Sequence, residues 1–162
     1  MKIGIVLREL HRSENELAID LLRASERHQV DHEIYHVARD IAAWSQRHVR
    51  DIAEVATDYG ADLDAAPHGE LGLARTVREK SSELVGRARA PGLLLLRDLR
   101  ALYLDAAGVS VDWELLAQAA QGVQHTGVLA LTKRCHPETL RQMRWANAKL
   151  KESSTQVLIS RS

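Results

Sequence analysis

The chain has 162 residues, room for one domain, with 45% hydrophobic and 27% charged residues, the balance of an ordinary globular protein. Phe is absent, three Trp and three Tyr supply all the rings, and Leu and Ala carry the apolar content, which excludes a β-sandwich or barrel and suits helices. Lys+Arg and Asp+Glu number 22 each, which excludes a dominant basic field, and the single cysteine, Cys135, excludes a disulfide framework or a Cys-based zinc cage.

The first predicted helix covers residues 3–28. Its apolar positions Ile3, Leu7, Leu10, Leu17, Leu21 and Ala24 step by three and four, a bundle seam, and the same count puts Glu14 inside it. The second predicted helix starts near Asp31, a suitable N-cap, with Glu33 in its first turn, and ends at Tyr59-Gly60. Its seam reads Ile34, Ala38, Ile41, Ser45, His48, Ile52, Val55 and Tyr59. The short turn between the two predicts an antiparallel hairpin.

Pro67 and Gly69 mark residues 61–70 as a loop. Weakly amphipathic sequence runs from Leu71 to Ala90, Pro91-Gly92 predicts a break, and Leu93–Ala107 predicts a short apolar helix closed by Gly108. A third long helix is expected from about Ser110 to Arg134, with Trp113, Leu116, Ala117, Ala120, Val123, Gly127 and Leu131 inward. His136-Pro137 predicts a restart, Pro being tolerated in a first helical turn. The fourth helix then turns Leu140, Met143, Ala146 and Leu150 inward, with Arg141, Arg144, Lys149 and Lys151 outward. One helical domain over 1–157 with a short tail at 158–162 is the expected organisation. The first seventy residues are acidic and the last thirty basic, so the net charge of zero is a cancellation.

Two hairpins joined by a long crossover make an all-α four-helix bundle with one or two extra helices in the crossover. In that connectivity, and in Glu14 and His48 on facing seams, the sequence resembles the ferritin-like superfamily, most nearly its small bacterial members without a cage function. In di-iron members one Glu comes from the first helix and a Glu-x-x-His pair from the second, and the other hairpin repeats the set. The resemblance places Glu14 at the first-helix carboxylate and His48 at the imidazole, with Ser45 where the paired Glu would stand. Gln124, or Gln121 beside it, and Asn147 take the matching heights of the second hairpin, and Glu138 falls in a first turn, a poor height for a central ligand.

Two irons need about four carboxylates and two imidazoles. One Glu and one His make an open mononuclear site for iron or manganese at most, so the expectation is no cofactor and a non-catalytic protein with a structural, stress-associated or interaction role. In this reading Glu14, Ser45 and His48 satisfy one another in a buried polar network, as do Gln124 and Asn147. The alternatives are a redox metalloprotein using Glu14 and His48, or a small-ligand site beside Glu14, His48 and Gln124. A surface metal site at His28, His32 and His36 is the further alternative, since imidazoles one turn apart converge, and Glu33-Ile34-Tyr35-His36 supplies a literal Glu-x-x-His there.

His125 is expected to pack on a helix flank, and Cys135 to sit in a turn ahead of a helix. Trp44 and Trp145 are flank residues suited to an edge or a subunit contact, which with the apolar flanks predicts a dimer or another protein partner. The basic run Lys133, Arg134, Arg141, Arg144, Lys149 and Lys151 lacks interleaved aromatics apart from Trp145, which argues against nucleic acid and for a solvated face. No stretch approaches ~18 uninterrupted apolar residues, and charge arrives too early after Met1 for a leader, so a cytoplasmic protein without a membrane partner is expected.

Overall fold

The computed structural model describes residues 2–67 and 91–160. Four α-helices form two antiparallel hairpins: α1 (Ile3–Arg27) with α2 (His32–Ala56), and α3 (Pro91–Gly122) with α4 (Thr126–Ile159). The hairpins meet along α1–α3 and, more sparsely, along α2–α4. Arg27 reaches Asp98 and Ser13 reaches Asp112, so α1 and α3 are antiparallel. Glu33 lies beside Lys149 and Asp51 beside Arg134, so α2 and α4 are too. It follows that α2 and α3 run parallel. No helix among the described residues is long and apolar enough to cross a membrane.

The first hairpin follows its sequence pattern. Every apolar residue of the α1 seam is buried, and so are Ile34, Ala38, Ile41, Ser45, His48 and Ile52 of α2. Asp31 caps α2 by accepting the Ile34 N–H at 3.1 Å. A 3₁₀ turn, Thr57–Tyr59, follows α2 and closes on Gly60 at φ 68°, where glycine avoids the Cβ clash of the left-handed region. The loop beyond is tied to α1 by His11, whose Nε2 donates to the Asp64 carbonyl at 2.7 Å.

The second hairpin differs from the sequence expectation. Residues 93–107 are part of α3, and the helix does not end at Gly108. Leu99, Leu102, Ala106, Val109, Trp113, Leu116 and Ala120 form one buried seam through that point, and Gly108 merely occupies the exposed face. An interior glycine costs only about 1 kcal/mol relative to Ala, less than continuous burial supplies. The chain reverses at residues 123–125, with Gln124 left-handed at φ 57°, so Val123 and Gly127 are not core residues of a helix reaching Arg134.

Pro137 lies inside α4, and the expected restart is absent. Its exposed ring faces away from a seam of Val128, Thr132, Cys135, Thr139, Gln142, Ala146, Lys149 and Ser153, which repeats by three and four across it. Lys149, expected outward, is buried, whereas Leu140 and Leu150 are only half-buried. The helix continues through Ile159, into the segment expected as a tail. Weakly amphipathic residues 71–90, with any crossover helix they hold, lie outside the described residues.

A buried carboxylate and imidazole network

Glu14, mid-way along α1, is fully buried. Its Oε1 lies 2.8 Å from His48 Nδ1 on α2 and accepts the indole N–H of Trp113 on α3, also at 2.8 Å. Thr139 on α4 donates to the same oxygen at 3.5 Å, so one carboxylate oxygen gathers groups from the other three helices. The imidazole continues the chain outward: His48 Nε2 lies 2.7 Å from Glu138 Oε2, and Glu138 accepts from Arg47 through both oxygens at 2.7 and 2.8 Å. The His48 and Trp113 rings pack edge to face, with centroids 5.9 Å apart and planes at 89°.

The charges dictate the protonation of His48. Burial disfavours an imidazolium, but the neighbouring Glu14 charge, its hydrogen bond and the Glu138 contact outweigh it and raise the His48 pKa above the ordinary value. Both ring nitrogens are engaged by carboxylate oxygens, which favour the protonated ring.

Ser45 belongs to an adjoining layer. Gln142 Nε2 donates to Ser45 Oγ and to the Ile41 carbonyl, each at 2.8 Å. Lys149 with Glu33 at 2.9 Å and Arg134 with Asp51 at 3.2 Å extend these bridges, so polar side chains span the α2–α4 seam along much of its length. The buried Glu14 Oε2 and Gln142 Oε1 accept no hydrogen bond among the described residues.

The structure brings Glu14 and His48 together, with Ser45 one layer away, and replaces the second-hairpin pair. Gln124 is exposed in the α3–α4 turn, and Asn147 lies roughly 35 Å further along the α4 axis, half-buried, so the two cannot meet. Glu138, read from the sequence as too near a helix start, is instead central, because α4 begins at Thr126. Trp113, Thr139, Gln142 and Arg47 were also missed as network members. The signal for Thr139 and Gln142 was the three-and-four spacing of α4, obscured because much of that seam is polar.

The histidine run does not form one helical face. His28 lies in the turn before α2, and its Nε2 is 2.8 Å from Asp98 on α3. His32 and His36 are exposed, with ring centroids 6.3 Å apart, and Glu33 of the literal motif is paired with Lys149. His125 stands at the N-cap of α4 and stacks edge-on to Tyr59, with centroids 5.2 Å apart. Cys135 sits within α4, not in a turn, and burial with the nearby Asp51 charge pushes its thiol up to about 12. Trp44 and Trp145 are half-buried against the core.

Among the described residues no three His, Cys, Asp or Glu side chains are placed to hold one metal ion. No protein-family model, curated protein or solved structure matches this chain, and the chemistry of the site therefore rests on its own geometry.

Proposed function

We propose that this chain is a non-catalytic ferritin-like bundle protein with a structural, stress-associated or protein-interaction role, in which a closed polar network stands where a di-iron site would. The parallel run of α2 and α3, each in its own antiparallel hairpin, supports the ferritin-like connectivity. The observation that carries the functional reading is the use of both His48 nitrogens by Glu14 and Glu138. An imidazole held in this way must give up a proton and one of these partners to ligate a metal, and the centre offers two carboxylates and one imidazole where two irons need about four and two. The network instead ties four helices at one height, a use of buried polar groups that fixes register.

Metal analysis of protein purified without a histidine tag, followed by iron and manganese titration, tests this reading. The expected result is no stoichiometric metal. Stoichiometric iron or manganese that is lost in His48→Ala would overturn it and favour the metalloprotein, with Glu14 Oε2 as the available oxygen.

The partner in this reading is a second copy. Leu104, Val111 and Leu115 follow one another along the outer face of α3, at 48%, 52% and 58% exposure, with Gly108 between them, and an uncharged helical stripe of this kind suits helix pairing. Sedimentation should find a dimer that Val111→Glu converts to monomer. A monomeric wild-type chain at micromolar concentration would remove this part of the proposal.

A further inference from the structure

Most of the described histidines are committed to partners within the chain. His11 bonds to the Asp64 carbonyl, His28 to Asp98 and His136 to Ser110, while His48 lies between Glu14 and Glu138. His125 packs against the Tyr59 ring. His32 and His36 differ: both are exposed, and no hydrogen bond or ion pair engages either ring among the described residues.

Their spacing is that of a chelating pair. Residues four apart in a helix lie one above the other, and both positions fall in the first two turns of α2. The ring centroids are 6.3 Å apart. Two imidazoles on one ion, each with a metal–nitrogen distance of about 2.0–2.1 Å, place their centroids roughly 5 Å apart. Exposed side chains cover that difference by turning about χ1 and χ2. The nearby cations are held by other partners: Arg39 pairs with Glu26 and lies over the Tyr35 ring, and Lys149 pairs with Glu33 and Glu152. Asp40, one turn beyond His36, is exposed and engages no cation among the described residues. The start of α2 is the positive end of a helix dipole, which opposes a bound cation, and the carboxylates of Asp31, Glu33 and Asp40 offset it.

We propose that His32 and His36 chelate a divalent transition-metal ion, Cu²⁺ foremost, on the surface of α2, with water in the remaining coordination positions. Imidazole nitrogen suits Cu²⁺, Ni²⁺ and Zn²⁺, and the general affinity order places Cu²⁺ highest and Mn²⁺ and Fe²⁺ lowest. The pair supplies two protein ligands where resident zinc sites have three or four, so the ion stays open to exchange. Such a site takes up an ion reversibly from solution. It is also separate from the central network, since His36 lies about 18 Å along the α2 axis from His48.

Calorimetric titration of the untagged, chelator-treated full chain with Cu²⁺, Zn²⁺ and Mn²⁺ in a non-coordinating buffer tests the proposal. Cu²⁺ should saturate one site per chain and bind at least ten-fold tighter than Zn²⁺, and Mn²⁺ should give no saturable heat. His32→Gln and His36→Gln should each weaken Cu²⁺ at least ten-fold, whereas His125→Gln should leave it unchanged. Circular dichroism of each variant reports whether it folds. Asp40→His in the His32→Gln chain restores the four-residue spacing, now with His36 as the first member, and should recover most of the lost affinity. Damage to the fold cannot produce that recovery. Absence of saturable Cu²⁺ binding, full affinity in either single variant, or no recovery on Asp40→His would each overturn the assignment.

Discussion

Trp113 donates its indole N–H to the same Glu14 oxygen that His48 engages, so a single buried atom couples α3 to the α1–α2 hairpin. Because Glu14 is fully buried, no water replaces a lost partner, and the cost of removing either group depends on what its neighbours retain.

This relationship separates two substitutions at one position. Glu14→Gln keeps a carbonyl oxygen for Trp113 but removes the charge opposite His48, and should cost about 1–2 kcal/mol. Glu14→Ala strands both the indole N–H and the buried imidazolium and should cost about 3–5 kcal/mol. Urea unfolding followed by circular dichroism measures both. Equal costs would mean that Glu14 does not organise the layer.

The raised His48 pKa makes stability depend on pH. Burial works against the charged ring, but Glu14 and Glu138 bind its proton more tightly in the folded state. The contribution is therefore complete below the unfolded value of about 6.5 and is lost as pH rises through the higher folded value. The urea midpoint should fall as pH rises above about 6.5, levelling off at a lower pH in Glu138→Gln, and His48→Asn should flatten that slope. A midpoint constant from about pH 6 to pH 9 would contradict a cationic His48.

Cys135 tests burial in α4 directly. With its thiol pushed up to about 12 and the side chain 1% exposed, almost no thiolate is available at neutral pH. Iodoacetamide labelling at pH 8 should proceed only through unfolding and speed up with urea in step with lost helicity. Rapid labelling of the native chain would return Cys135 to the exposed turn that its neighbours His136-Pro137 suggest.

The first hairpin was legible because its signals agree: a continuous aliphatic seam, the Asp31 cap and Gly60 all point to the same two helices. Glu14 and His48 could be paired by counting from the α1–α2 turn. The second hairpin hides its boundaries because local signals conflict with packing. Gly108 and Pro137 punctuate the sequence but not the structure, while the real reversal at 123–125 uses the non-glycine Gln124. Polar Thr132, Thr139, Gln142, Lys149 and Ser153 occupy core positions of α4, so the apolar pattern undercounts its seam. A turn at 135–136, which the sequence suggests, would set Glu138 away from the centre and Gln124 in its stead, whereas the turn at 123–125 does the reverse.

Gly108 and Pro137 also provide the sharpest test of continuous α3 and α4. Both are exposed, Gly108 has open space where a Cβ would project, and its backbone is not left-handed. In a helix interior Gly108→Ala should stabilise by about 0.5–1 kcal/mol, chiefly by restricting the unfolded chain. Pro137→Ala should also stabilise, since it restores an N–H to the α4 ladder. Were Gly108 a left-handed helix terminus, alanine would destabilise by about 1 kcal/mol, and were Pro137 in a first helical turn, its replacement would bring little or no gain. The sign of the change in thermal unfolding midpoint for the two variants therefore decides between two continuous helices and the broken pair that the sequence suggests.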